Sequence, residues 1–85
     1  MFHKIESVEP LPSYVLRVVF TNGEIKYYRV SSLFDKWEAF NELREIPGLF
    51  NQVKVDSGGY GVSWNDQIDL ECNDLWEYGE KSLSV

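Results

Sequence analysis

Eighty-five residues suffice for one compact domain and not for two, and at this size folding buries only about 60–65% of the surface that the unfolded chain exposes. A hydrophobic fraction of 44%, with three Trp, five Tyr and five Phe, excludes a disordered chain, and a single cysteine, Cys72, excludes an intrachain disulfide. The net charge of −6 is unevenly placed: residues 1–54 carry seven acids and seven bases, whereas residues 55–85 carry seven acids against Lys81 alone.

An acidic face of this kind repels phosphate backbones, so no direct nucleic-acid binding is expected, and it steers a basic protein partner. A solvated surface that keeps the protein soluble is the more common origin of such charges. The longest nearly apolar run, residues 14–20, is broken by Arg17 and falls far short of the roughly 18 residues needed to span a bilayer. No secretory pattern opens the chain, so a cytoplasmic protein with no membrane contact is expected.

In chain order, residues 3–9 alternate loosely before Pro10 and Pro12, as a short edge strand does. Residues 14–20 and 25–30 flank Thr21-Asn22-Gly23-Glu24, and Asn-Gly between two β-rich runs predicts a two-residue hairpin turn. That register pairs Phe20 with Ile25, Val18 with Tyr27 and Leu16 with Arg29 on the core face. It leaves Tyr28 on the other face, which a second element or a second subunit would cover, so a homodimer is one expectation.

Ser32 is placed to cap a helix in which Leu33, Trp37, Phe40 and Leu43 form one apolar stripe, ended by Pro47-Gly48. Residues 50–56 read as a strand, Ser57-Gly58-Gly59 as a turn and residues 60–64 as the returning strand of a second hairpin, with Val62 and Trp64 inward. Asn65-Asp66 then turns the chain into Ile68 and Leu70. Asn73 or Asp74 can cap a short helix ending at Gly79, and residues 80–85 read as a frayed tail. The expected architecture is α+β: a small single domain, residues 1–85, of two antiparallel β-hairpins with one central helix and a short C-terminal helix.

Few residue patterns carry chemistry. Gly58-Gly59-Tyr60-Gly61 lacks the spacing and the following helix of a phosphate cradle, so these are turn glycines. Asp56, Asp66, Asp69 and Glu71 offer oxygen ligands without the spacing of a calcium loop, and no metal or cofactor is expected. His3 and Cys72 would have to meet for nucleophilic catalysis, and His3 lies at the extreme N-terminus. No catalytic group is assigned. Trp64 and Trp76 are read as core, whereas Tyr28, Tyr60 and Tyr78, with Asp66, Asp69 and Glu71, are the candidate partner-binding residues. The alternative is a small ligand-binding domain or enzyme with a pocket near Trp64, Asn65 and Asp66.

The run VKVDSGGYGVSWNDQIDLECNDLWEYG, taken with the first hairpin and the RVSSLF segment, resembles the bacterial domain-of-unknown-function family 2442 from about His3 to Gly79. Gly59, Gly61, Trp64, Asn65, Asp66, Ile68, Asp69 and Leu70 carry the resemblance. It implies a small α+β domain whose members are mostly uncharacterised and whose genes often adjoin those of another small family, the basis of a toxin–antitoxin proposal. Relatives with an added helix-turn-helix domain would bind DNA; this chain, ending at Val85 without one, is not expected to. The implied role is that of an antitoxin-like partner of a basic protein.

Overall fold

The computed structural model describes residues 2–83. Strands β1 (Ile5–Leu11), β2 (Val15–Phe20) and β3 (Ile25–Arg29) form one antiparallel sheet in that order. A second antiparallel sheet holds β4 (Lys54–Val55), β5 (Gly61–Asn65) and β6 (Ile68–Glu71). Two short helices, α1 (Glu42–Glu45) and α2 (Cys72–Tyr78), complete an α+β fold around a single hydrophobic core.

The edge strand β1 runs through Pro10, which lies opposite Leu16; proline is tolerated because an edge strand needs no donor on its outer side. The turn into β2 places Ser13 and Tyr14 at φ 64° and 61°, a left-handed conformation that costs non-glycine residues free energy. Tertiary contacts hold it. The Tyr14 carbonyl accepts the Val30 N–H at 2.9 Å, and its ring packs edge-on against Phe34 and Phe50 at 5.3 and 5.2 Å.

The first hairpin forms, but its register differs by one residue from the expected one. Gly23 N–H bonds the Phe20 carbonyl at 2.9 Å and Phe20 N–H bonds the Glu24 carbonyl at 2.8 Å, so the loop is Thr21-Asn22-Gly23, with Gly23 at φ 90°. This is a three-residue loop whose last member sits in the left-handed region, the other common way for Asn-Gly to close a hairpin. Leu16 therefore faces Tyr28 and Arg17 faces Tyr27. The slip moves Tyr28 onto the core face with Leu16, Val18 and Phe20, and all four are buried.

The single central helix is replaced by short turns. Val30–Leu33 and Glu38–Asn41 are 3₁₀ turns, and only Glu42–Glu45 is α-helical. Trp37 stands between them with φ −129° and ψ 111°, an extended conformation that interrupts any continuous stripe. Ser32 donates its hydroxyl to the Arg29 carbonyl at 2.9 Å instead of accepting a backbone N–H as a helix cap. Leu33, Phe40 and Leu43 are buried as their spacing predicts; Trp37 is not.

In the second sheet, residues 50–52 form a 3₁₀ turn, so the strand there shrinks to β4. Ser57–Gly59 brings Gly59 against β1: a side chain at Gly59 would place its Cβ 2.6 Å from the Ile5 carbonyl oxygen. Asp56 accepts the Ser63 hydroxyl at 2.7 Å, so this carboxylate joins β4 to β5. The Asn65 side-chain oxygen accepts the N–H groups of Gln67 and Ile68 at 2.8 and 3.0 Å, which makes the β5–β6 turn as expected.

Helix α2 begins directly at Cys72, without a side-chain cap, and stops at Gly79. Beyond it, Glu80 exchanges both backbone hydrogen bonds with Tyr27 at 2.7 Å, so the first residue of the expected tail is a bridge to β3. Residues 84–85 of that tail lie outside the described residues. No helix among the described residues is long and apolar enough to cross a membrane.

Candidate functional site: an acidic groove along β6

Alternation along β6 sends Ile68 and Leu70 into the core and Asp69 and Glu71 to the surface. Facing them across a groove of about 490 Å³ are Trp37, Ala39 and Phe40, and Asp74 of α2 adds a third carboxylate. Phe40 and Leu70 are almost fully buried and give the groove an apolar floor. Trp37 is 60% exposed and supplies an aromatic wall. Asp69, Glu71 and Asp74 line this groove with no cation among the lining residues.

A second groove, of about 430 Å³, shares Trp37, Leu70 and Asp74 with the first and extends to Tyr28 and Tyr78. Its charges balance. Arg29 is bound to Glu80 at 2.7 Å, and Lys36 accompanies Asp74. Tyr78 is 70% exposed on its rim, whereas Tyr28, expected at the surface like Tyr78, is only 6% exposed. Burial of the Tyr28 phenol pushes its pKa up, and the neighbouring Asp74 carboxylate and Tyr78 add to the shift.

Asp69, Glu71 and Tyr78 thus meet on one continuous surface, with Tyr28 beneath it. Tyr60 meets Asp69 and Glu71 in a separate groove of about 330 Å³, beside Phe2 and Asp56 and apart from Tyr28 and Tyr78. It is 47% exposed at the start of β5, where Phe2 packs edge-on at 5.4 Å and the Lys4 ammonium lies 5.1 Å from its ring centre. Asp66 is exposed at the tip of the β5–β6 turn and lines neither groove. Besides the floor residues Phe40 and Leu70, Trp37 and Asp74 were not singled out from sequence as partner-binding: Trp37 is hidden because it shares a helical stripe with Leu33 and Phe40, and Asp74 reads as a helix cap. No signal in the spacing separates Trp37 from its buried neighbours.

Trp64 is core. Its indole N–H donates to the Phe50 carbonyl at 3.0 Å, and its ring packs against Phe40 and Phe50 at 6.1 and 6.0 Å. Trp76 is half-buried: His3 stacks on it at 3.8 Å with the rings 7° from parallel, and the Lys26 ammonium sits 4.3 Å from the ring centre. Cys72 is a buried free thiol. Among the described residues no group of three or more His, Cys, Asp and Glu gathers where a metal ion could be held.

The family model described as Protein of unknown function (DUF2442) matches residues 5–81 of this chain. The chain belongs to the DUF2442 family. Both sheets of this DUF2442 member, the groove and the Glu80 bridge all fall inside the matched span. Neither the curated proteins nor the solved structures contain a match to the chain.

Proposed function

We propose that this DUF2442 protein is a cytoplasmic protein-binding module that docks a basic partner in the groove between Trp37 and β6. One observation carries the reading: an apolar floor of Phe40 and Leu70 and an exposed indole, rimmed by Asp69, Glu71 and Asp74 with no lining cation. An exposed aromatic beside apolar ground is the composition of an interface anchor, and the carboxylates steer and select positive charge. The lone buried thiol of Cys72 suits a reducing compartment.

The antitoxin-like role is the specific form of this proposal, in which the bound partner acts on nucleic acid and the acidic groove occludes its basic face. The outer face of the first sheet carries half-buried Val19, Ile25 and Tyr27 and uses none of the groove's residues, so self-association there is compatible with docking. Nothing favours a ligand pocket at Trp64, Asn65 and Asp66, because the fold already engages the Trp64 indole and the Asn65 amide.

Co-purification of the tagged protein from its host at low and high salt, beside the Asp69→Lys/Glu71→Lys variant, tests the proposal. A stoichiometric basic protein that is released by salt and lost from the variant is the expected result. A partner that the variant retains, or one without a basic surface, overturns it.

A further inference from the structure

The groove has one wall made of strand edge. In the second sheet β5 is central: its Gly61 carbonyl accepts the Asp56 N–H at 2.9 Å on the β4 side, and the carbonyl of Tyr60, the residue just before it, accepts the Cys72 N–H at 2.8 Å on the β6 side. Backbone groups of successive residues in a strand point to opposite neighbours, so Val62, opposite Leu70, also faces β6. Leu70 consequently spends its backbone on β5, and Asp69 N–H, Asp69 C=O and Glu71 N–H point away from the sheet. No further strand pairs with β6 among the described residues.

The other outer strands are protected differently. Glu80 bridges β3, Pro10 removes a backbone donor from β1, and β4 is two residues long. Among the outer strands of the described residues, β6 combines a free edge with a groove beside it. Its exposed carboxylates oppose pairing with a second copy of itself, since Asp69 and Glu71 would meet like charges, and the same carboxylates favour a strand with basic side chains at alternate positions.

We infer that the partner's docking segment is an extended basic strand that pairs with β6 through Asp69 and Glu71, its apolar side chains lying toward Phe40, Leu70 and Trp37. This deepens the proposed function and rests on it. A helix would meet the same charges but offers no backbone groups to the unpaired edge, whereas an extended segment satisfies them and gains alternate-side-chain selectivity. Residues 67–71 span about 15 Å, room for a segment of four or five residues.

The test uses the full chain and an alternating Lys-Val heptapeptide in three forms: unmodified, N-methylated at every valine, and N-methylated at every lysine. In one strand orientation only one of the two residue sets points its N–H groups at β6. The expected result is saturable binding of the unmodified peptide, slowed amide exchange at Asp69 and Glu71, and a loss of about tenfold or more for one methylated form alone, the scale of one or two hydrogen bonds. If both methylated forms bind as well as the unmodified one while the Asp69→Lys/Glu71→Lys variant binds none, strand pairing is overturned and the basic-partner reading stands. If the unmodified peptide does not bind, or binds the variant equally well, both fall.

Discussion

Tyr28 packs its ring in the core with Leu16, Val18 and Phe20 while its hydroxyl responds to Asp74 and Tyr78. Because burial first, and the neighbouring carboxylate second, disfavour the phenolate, the folded protein holds this proton more tightly than the unfolded chain does. Tyr28 therefore contributes nothing to the pH dependence of stability well below pH ~10, and stability falls as the pH rises past that ordinary tyrosine value toward the raised folded one. Urea midpoints measured from pH 8 to pH 11.5 should decline at the alkaline end in the wild type and decline less in Tyr28→Phe. Equal declines would show that the Tyr28 phenol is not what destabilises the fold in alkali. The same residue shows how a side chain is misplaced from sequence: its identity suits either face of a strand, and a one-residue difference in loop length decides between them.

At the scale of elements, turn chemistry sets the frame, and two glycines distinguish a turn from a close approach. Gly23 and Gly59 share positive φ, 90° and 79°, but a Cβ at Gly23 meets open space whereas one at Gly59 meets the Ile5 backbone. Gly23→Ala should cost about 1 kcal/mol from the left-handed conformation alone. Gly59→Ala should cost roughly 2–4 kcal/mol, since strain and a backbone clash combine. Equal costs by urea unfolding would refute the packing of the Gly-rich turn on β1. The strands of the first hairpin, the Asn65 turn and the stop at Gly79 were legible because each is a local matter of backbone freedom or short-range hydrogen bonding, whereas the loop length that sets the hairpin's register was not. The central helix was misread because Leu33, Phe40 and Leu43 fit a helical stripe, although the segment reaches the core through successive 3₁₀ turns with Trp37 turned outward.

For the whole molecule, α2 and Glu80 tie one sheet to the other. Helix α2 continues from β6, yet Lys26 of β3 reaches it twice, through the Trp76 ring and by donating its ammonium to the Trp76 carbonyl. Seven residues form a marginal helix on their own, so these contacts and the buried Leu75 hold it in place. Lys26→Met keeps the stem and removes both polar contacts; it should cost about 1–3 kcal/mol and accelerate amide exchange in α2 ahead of β2. Uniform acceleration across the chain would mean that α2 opens only with global unfolding. The clamp also matters for the groove, since Asp74 of α2 forms part of its acidic rim.

The two strands of the first hairpin, turns at Asn22-Gly23 and Asn65, the burial of Leu16, Val18, Phe20, Leu33, Phe40, Leu43, Val62 and Trp64 and the acidic C-terminal third follow from the sequence alone, because period-two alternation, turn residues and charge are local properties. The tertiary structure decided which tyrosine is buried, where Trp37 points and which strand edge is free. Those outcomes depend on one-residue registers and on backbone pairing between segments distant in the chain, where local patterns carry no preference.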